Sequence, residues 1–435
     1  MSSNINGHAK KYGNRGYRYT LIEIGAIMQN LIHYCTKNDI GIFTFGGIQE
    51  DKLKESLEND IDPFIAVFIG NKNKGVLDKN VYIESTKTTK ATKGDYESSS
   101  FISRSIIDKK SGTANSTGFD SDYYQAAIKS YVEKLEREIC YADEAELELV
   151  EYNSTLRNAI PEKCINYVLE NKSVLIQQDG KYFPPEYLFY PYITERNNVF
   201  YQVSSNGVAA HTELSVAKES ALNECIERDA ITLFYNTDMP FRVINHSILN
   251  NKIQKKLKDL ETTGYYFKFL DISTRYGNTD LVLGENKLLY PNFVTGAATS
   301  SDINTACEKA LNESEAMIIT WYKNDQELID KNNVEETILH GLLWADNNQA
   351  IIELSLNRLL EEANSFKLCE SRIIDEDYFV YSMPDDKVQI VSCLTKKLCE
   401  IEFGGESVSN IFIIKSRAEE EGLNYVKRDK PHFFA

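Results

Sequence analysis

A mixed α/β (α+β) body is the architecture this sequence predicts, and three observations carry it. Short apolar runs of strand length alternate with stretches whose apolar residues recur at helical spacing. With 42% hydrophobic and 11% aromatic residues over 435 positions, the chain can bury a sizeable core in more than one domain. No run reaches the ~18 apolar residues of a membrane helix, and residues 1–14 lack the apolar centre of a signal peptide.

The elements follow in order. Residues 18–35 place Leu21, Ile24, Ile27, Met28, Leu31 and Ile32 at a 3.6-residue period, which predicts a helix with apolar residues around much of its circumference. IGIFTFGGI (40–48) reads as a buried strand, 49–57 as a short helix and PFIAVFIG (63–70) as a second strand. This opening unit, 1–75, is too small for a complete α/β domain. A Lys/Thr/Asn-rich stretch reads as a linker over 76–96, and the main body then runs over 97–435. In the body, 98–107 is expected as a strand, 111–118 as a polar loop, 120–139 as a helix, 349–366 as another helix and 388–402 as a strand region.

Composition narrows the function. Forty-eight Lys and Arg against 65 Asp and Glu leave a net charge of −17, which argues against sequence-blind nucleic-acid binding. Nucleotides stay open, because carboxylates can hold Mg2+ and Mg2+ can hold phosphates. The eight cysteines form no CxxC pair and no zinc-spaced cluster with histidine. Free thiols in a reducing cytoplasm are the expectation.

Three helices carry carboxylates at helical spacing. In QAAIKSYVEKLERE, Ile128, Tyr131, Leu135 and Ile139 form an apolar stripe, and Lys129, Glu133 and Glu136 share a face beside it. In HTELSVAKESALNECIERDA, Thr212 is the expected N-cap and Leu222, Ile226, Ala230 and Leu233 form the buried stripe. Glu224 and Glu227 lie on another face. In SSDINTACEKALNESEAMIITWY, Ala306, Ala310 and Met317 form a narrow stripe that contains Glu313, with Lys309 one turn before it. A carboxylate on such a stripe needs a charge partner or a metal to offset its desolvation. One ExxE pair is ordinary on a solvated helix. Three helices with the same feature suggest carboxylates converging on hard cations.

The wording of these segments is more specific than their periodicity. YQVSSNGVAAHTELSVAKESALNECIERDA resembles the YcaO family: a strand, an SNGxAA turn, then a helix ending in ExxER. FDSDYYQAAIKSYVEKLERE is similar to that family's earlier helix, and PNFVTGAATSSDINTACEKALNE to its third block. The resemblance spans about 97–435. It implies that Glu133, Glu136, Glu224, Glu227 and Glu313 are metal ligands for Mg2+, with Glu224, Glu227 and Glu313 at the reacting centre. It implies that Lys309, Lys129, Ser205 and Asn206 lie by ATP. No Walker A sequence is present. The implied reaction is ATP-dependent activation of a peptide backbone amide. A Cys, Ser or Thr nucleophile gives an azoline, sulfide a thioamide and an amine an amidine. Azoline formation on a ribosomal precursor peptide is favoured; a non-catalytic scaffold is the alternative.

Three departures stand out. Lys129 occupies the place of the family's serine, with Ser130 one position off. The loop before that helix reads Ser116-Thr117-Gly118, without the family's lysine. The tail, KPHFFA, has one proline where azoline-forming members carry a proline-rich run.

KKYGNRGYRYTLIEIGAIMQNLIHYCTKNDIGIFTFGGIQEDKLKESL resembles the C-terminal half of SagB-type nitroreductase-fold flavin dehydrogenases, with Gly46 and Gly47 at the flavin-proximal turn. The front half, with the FMN phosphate site, has no counterpart in this sequence. The resemblance therefore implies a vestige or docking element, or a half-site that completes an FMN site only with another chain. The expected partners are the precursor peptide, a leader-peptide-binding or ubiquitin-activating-enzyme-like protein, a flavin dehydrogenase and a second copy of the chain.

Overall fold

The computed structural model describes residues 2–3, 10–13, 15–37, 40–45, 62–63, 66–71, 86–93, 96–109, 112–171, 174–190, 192–195, 205–321, 337–346, 360–363, 374–382, 388–402, 408–428 and 432–433. It divides into two compact units, 1–80 and 81–435.

The first unit holds helix α1 (Arg15–Lys37) and an antiparallel pair, β1 (Ile40–Phe45) with β2 (Ala66–Asn71). Thr20, Ile24 and Cys35 lie on the buried face of α1, while Ile22 and Ile27 are exposed. The helix expected at 49–57, and Gly46 and Gly47, lie outside the described residues.

The second unit opens with an antiparallel meander: β3 (Thr86–Lys93), β4 (Tyr96–Lys109) and β5 (Gly112–Asp120). Two expectations are corrected here. Part of the 76–96 linker is the strand β3, and the polar loop 111–118 lies in β5. The reason is a sheet covered on both faces, where serines are buried beside Ala91, Ile102 and Phe119. Ser98, Ser100, Ser103, Ser105 and Ser116 are all buried. Helix α2 (Tyr123–Ile139) is capped by Asp122, whose side chain accepts from the Tyr124 and Gln125 N–H groups. It packs on β4 and β5 through Ala126, Ala127 and Ser130, not through the expected stripe, whose members are only half-buried.

After a stretch of short strands and 3-10 turns come β6 (Val208–His211) and helix α3 (Leu214–Asn236). Glu213, not Thr212, is the N-cap of α3, and it makes no side-chain cap. The His211 Nδ1 instead accepts from the Glu213 N–H at 3.0 Å. Ile226, Ala230 and Leu233 are buried as expected. Next are β7 (Phe241–Ile244), α4 (Asn251–Glu261), β8 (Tyr266–Asp271), β9 (Thr279–Glu285), β10 (Phe293–Thr299) and α5 (Ile303–Thr320). Helix α6 (Thr337–Ala345), β11 (Leu360–Ala363), β12 (Glu376–Tyr381), β13 (Gln389–Thr395) and α7 (Val408–Glu421) complete the unit. Residues 360–363, expected at the end of a helix, are strand because they pair in parallel with β7.

The central sheet runs β10-β9-β8-β7-β11, and β6-β13-β12 forms a smaller one. Both faces of β9 are apolar. Leu281 and Leu283 join one cluster with Phe234, Tyr235, Phe293 and Trp344; Val282 joins another with Phe269, Ala306, Cys307 and Ala310. Phe433, near the chain end, is buried in the first cluster against Phe234 and Tyr235. Among the described residues no helix is long and apolar enough to cross a membrane.

Candidate active site

Two strand–helix units deliver carboxylates in the same way. In each, a three-stranded antiparallel meander leads into a helix that returns across its third strand: β3–β4–β5 into α2, and β8–β9–β10 into α5. Close approach is possible because a glycine sits under the helix. A Cβ on Gly118 would lie 2.0 Å from the Ala126 carbonyl oxygen, and one on Gly296 2.1 Å from that of Ala310. The helix then brings a glutamate to the backbone of its own strand. Glu133 accepts from the Thr117 N–H at 2.9 Å, and Glu313 from the Ala297 N–H at 3.0 Å; donor and acceptor are 16 residues apart in both. Helix α3 adds Glu227, which accepts from the Thr299 N–H at 3.2 Å. Glu227 and Glu313 are therefore neighbours along one edge of β10.

The electrostatics tie all five glutamates together. Burial, the Glu224 and Glu133 charges push Glu136 up to about 8, against the opposing charge of Arg137. Burial and Glu313 push Glu224 up to about 7, against Arg228 and Arg137. Glu227 is pushed well above the carboxylate range by burial, Glu313 and Glu224, and Glu133 is raised by burial. Glu313 is raised too, by the protein mass around it, while its own side chain keeps solvent contact; Arg228, Lys309 and Lys129 oppose the rise.

The outcome for each expected residue is specific. Glu133, Glu136, Glu224, Glu227 and Glu313 converge from α2, α3 and α5. Glu313 is exposed rather than buried on its stripe: its Cβ still lies over Gly296 of β10, but its carboxylate turns to the Ala297 N–H at the open edge of that strand. Lys309 is exposed, and its charge reaches Glu313. Lys129 also reaches Glu313 by charge, but its amine is bound by Asp120 at 2.7 Å and the Phe119 carbonyl at 3.3 Å. Ser130 faces away: its hydroxyl meets Ser105 Oγ at 2.9 Å and the Ser116 carbonyl at 3.2 Å under the sheet. The Ser205-Asn206-Gly207 turn packs on α3 at Cys225. Gly207, at φ +73°, leaves no room for a Cβ against Cys225 Sγ, and Asn206 Nδ2 donates to the Ile401 carbonyl at 3.1 Å.

Two arginines were missed as site residues. Arg137 lies 3.6 Å from Glu133, and Arg228 lies 3.5 Å from Glu224, each one turn on from its partner. The signal was present: both helices read ExxER, so each arginine follows a glutamate pair directly.

The cluster fits Mg2+ with a nucleotide. Among the described residues no three of His, Cys, Asp and Glu stand close enough to hold one metal ion by themselves. Magnesium needs only one or two carboxylates when phosphate oxygens and water complete its shell. The mutual repulsion that raises these glutamates is the charge a divalent ion offsets. Arg137, Arg228, Lys129 and Lys309 are cations of the kind that could meet phosphate oxygens.

Comparison with known proteins gives concordant findings. Residues 172–381 match the family model described as YcaO cyclodehydratase, ATP- and Mg2+-binding. Among solved structures, a heterocyclase in complex with substrate and cofactor superposes with a TM-score of 0.54 at 13% identity, over 73% of this chain and 50% of that one. This chain thus spans half the length of that heterocyclase. The YcaO protein from Methanopyrus kandleri bound with AMPPCP and Mg2+ gives 0.50 at 13% identity, over 80% and 90%. The E. coli microcin synthetase McbBCD complex with pro-MccB17 bound gives 0.52 at 14% identity, over 72% and 88%. At these identities the superpositions show a shared fold. No curated protein sequence matches the chain.

Proposed function

We propose that this chain, which belongs to the YcaO family over residues 172–381, uses ATP and Mg2+ to cyclodehydrate Cys, Ser or Thr residues of a ribosomally made precursor peptide to azolines. The observation that carries the reading is that five glutamates and four cations from three helices lie close enough to act on one another by charge.

Bound Mg2+ would supply charge neutralisation and a fixed geometry for the triphosphate. The carboxylates of Glu133, Glu136, Glu224, Glu227 and Glu313 would hold it. Lys309, Lys129, Arg137 and Arg228 would spread the developing phosphate charge. The peptide's side-chain sulfur or oxygen attacks the preceding backbone carbonyl carbon. The carbonyl oxygen takes the γ-phosphoryl group, breaking its bond to ADP, and the C–O bond then breaks as phosphate leaves. The peptide loses one water in total, and ATP becomes ADP and phosphate. Protons leave the attacking side chain and the amide nitrogen. Both protons are taken up by the departing phosphate and solvent, since Glu224 would be committed to the cation.

Substrate choice is proposed to lie with a partner, either a leader-peptide-binding or a ubiquitin-activating-enzyme-like protein, and the E. coli neighbour's multi-protein assembly supports that reading. Co-expression with precursor and mass spectrometry test the function. Loss of one water per modified residue supports azoline formation, and loss of a further two hydrogens adds an oxidation by a flavin dehydrogenase. Exchange of oxygen for sulfur means a thioamide, and exchange of oxygen for NH means an amidine. The pairing of Lys129 with Asp120 favours one competing reading, a scaffold that keeps the fold without turnover. An unmodified precursor, with no calorimetric binding of ATP in the presence of Mg2+, decides for that scaffold.

A further inference from the structure

Arg137 is the cation most central to the cluster on α2. It follows Glu136 directly, its Nη2 lies 3.6 Å from Glu133, and its charge acts on both Glu136 and Glu224. Its side chain is 34% exposed. A half-wet i,i+4 pair at that distance is too weak to hold a long, flexible side chain in one place. A second contact does so. Arg137 Nη1 donates to the Tyr190 hydroxyl, and the guanidinium carbon stands 5.6 Å from the centre of the same ring.

Tyr190 is itself firmly placed. Its N–H donates to the carbonyl of Cys140, the C-cap of α2, at 2.7 Å. The chain arrives there through a 3-10 turn, Pro185–Tyr187, whose Pro185 carbonyl accepts from both Leu188 and Phe189 at 3.0 Å. The Leu188 carbonyl accepts from the Tyr381 hydroxyl, and the Phe189 ring packs edge-on against Phe379 and Tyr381. The tyrosine therefore returns to the helix that bears Arg137, and is fixed to that helix's own end.

We infer that Tyr190 is a positioning residue of the active site: its hydroxyl and ring hold the Arg137 guanidinium against the carboxylates of Glu133, Glu136 and Glu224, where it meets the nucleotide's phosphates. The inference rests on the Mg2+–ATP reading above. Tyr190 touches no reacting atom and acts through Arg137. A double-mutant cycle separates this role from a general structural one, because residues acting through one another are non-additive.

The experiment is calorimetric titration of the full chain with AMPPCP in excess Mg2+, for the parent, Tyr190→Phe, Tyr190→Leu, Arg137→Lys and the two double variants. Affinity should fall about 3-fold in Tyr190→Phe and about 10-fold in both Tyr190→Leu and Arg137→Lys, with the doubles within about 2-fold of Arg137→Lys alone. Losses that multiply to about 100-fold in Tyr190→Leu/Arg137→Lys overturn the inference, as does parent-like affinity in Tyr190→Leu. If Tyr190→Leu fails to fold, the cycle built on Tyr190→Phe decides by the same comparison. A parent chain that binds no AMPPCP overturns the function and this inference together; a parent that binds, with multiplicative losses, overturns only this one.

Discussion

Glu136 and Glu224 keep their protons into the neutral range because each is packed in protein and faces another carboxylate. Replacing Glu224 or Glu313 by Gln keeps side-chain size and removes one of the repelling charges. ATP turnover should fall at least ~100-fold, as when an electrostatic contact to the transition state is removed. The ligand-free melting temperature should hold or rise, and equal turnover with a lowered melting temperature would return these residues to an ordinary solvated face. The same groups fix a pH dependence. Their folded-state values lie above those of the unfolded chain, so the stability they contribute is complete below the ordinary carboxylate range and is lost progressively as pH rises from that range to about 7 for Glu224 and about 8 for Glu136. Melting of the ligand-free protein should therefore decline across that interval, with a shallower decline in Glu224→Gln. The five glutamates were legible because ExxE repeats at helical spacing and the motif wording marked them. The fate of Lys129 was not: its neighbour Asp120 belongs to a different element, and spacing along α2 says nothing of that pairing.

At the scale of elements, the glycine under each helix matters more than the apolar pattern. Gly296→Ala would put a methyl group 2.1 Å from the Ala310 carbonyl and 2.9 Å from the Glu313 Cβ. Helix α5 must then move off β10, at about 1–3 kcal/mol for overpacking and more where backbone blocks relief. The expected result is a lower melting temperature and weakened Mg2+–nucleotide binding together. Loss of stability with affinity unchanged would separate the glycine from the site. The helices α2, α3 and α5 and the strand β4 could be read from the sequence, but the strands β3 and β5 on either side of β4 could not. Many of the covered residues in this sheet are serines, satisfied by hydroxyl and carboxylate partners such as Ser105–Ser130 and Ser98–Glu315, so strands under cover read as polar connections. Composition marks a strand only when burial is paid in hydrocarbon.

For the whole molecule, the division into 1–80 and 81–435 gives the remaining prediction. Every residue placed in the site lies beyond residue 116, so a chain beginning at residue 81 should bind Mg2+–AMPPCP as the full chain does. A change in mass by light scattering or in partner recovery would assign the first unit to assembly. Parent-like mass and partners would make it a passive remnant, and lost nucleotide affinity would tie it to the site. In the second unit, β5 and β10 are the outermost strands of their sheets. Their Thr117, Ala297 and Thr299 N–H groups point to side chains, not to another strand. An open strand edge invites pairing with a second chain, and here acidic side chains stopper it. The carboxylates proposed to hold a cation would therefore also guard the protein against edge-to-edge aggregation, and a cation that draws them away would leave those three amides free to exchange with solvent.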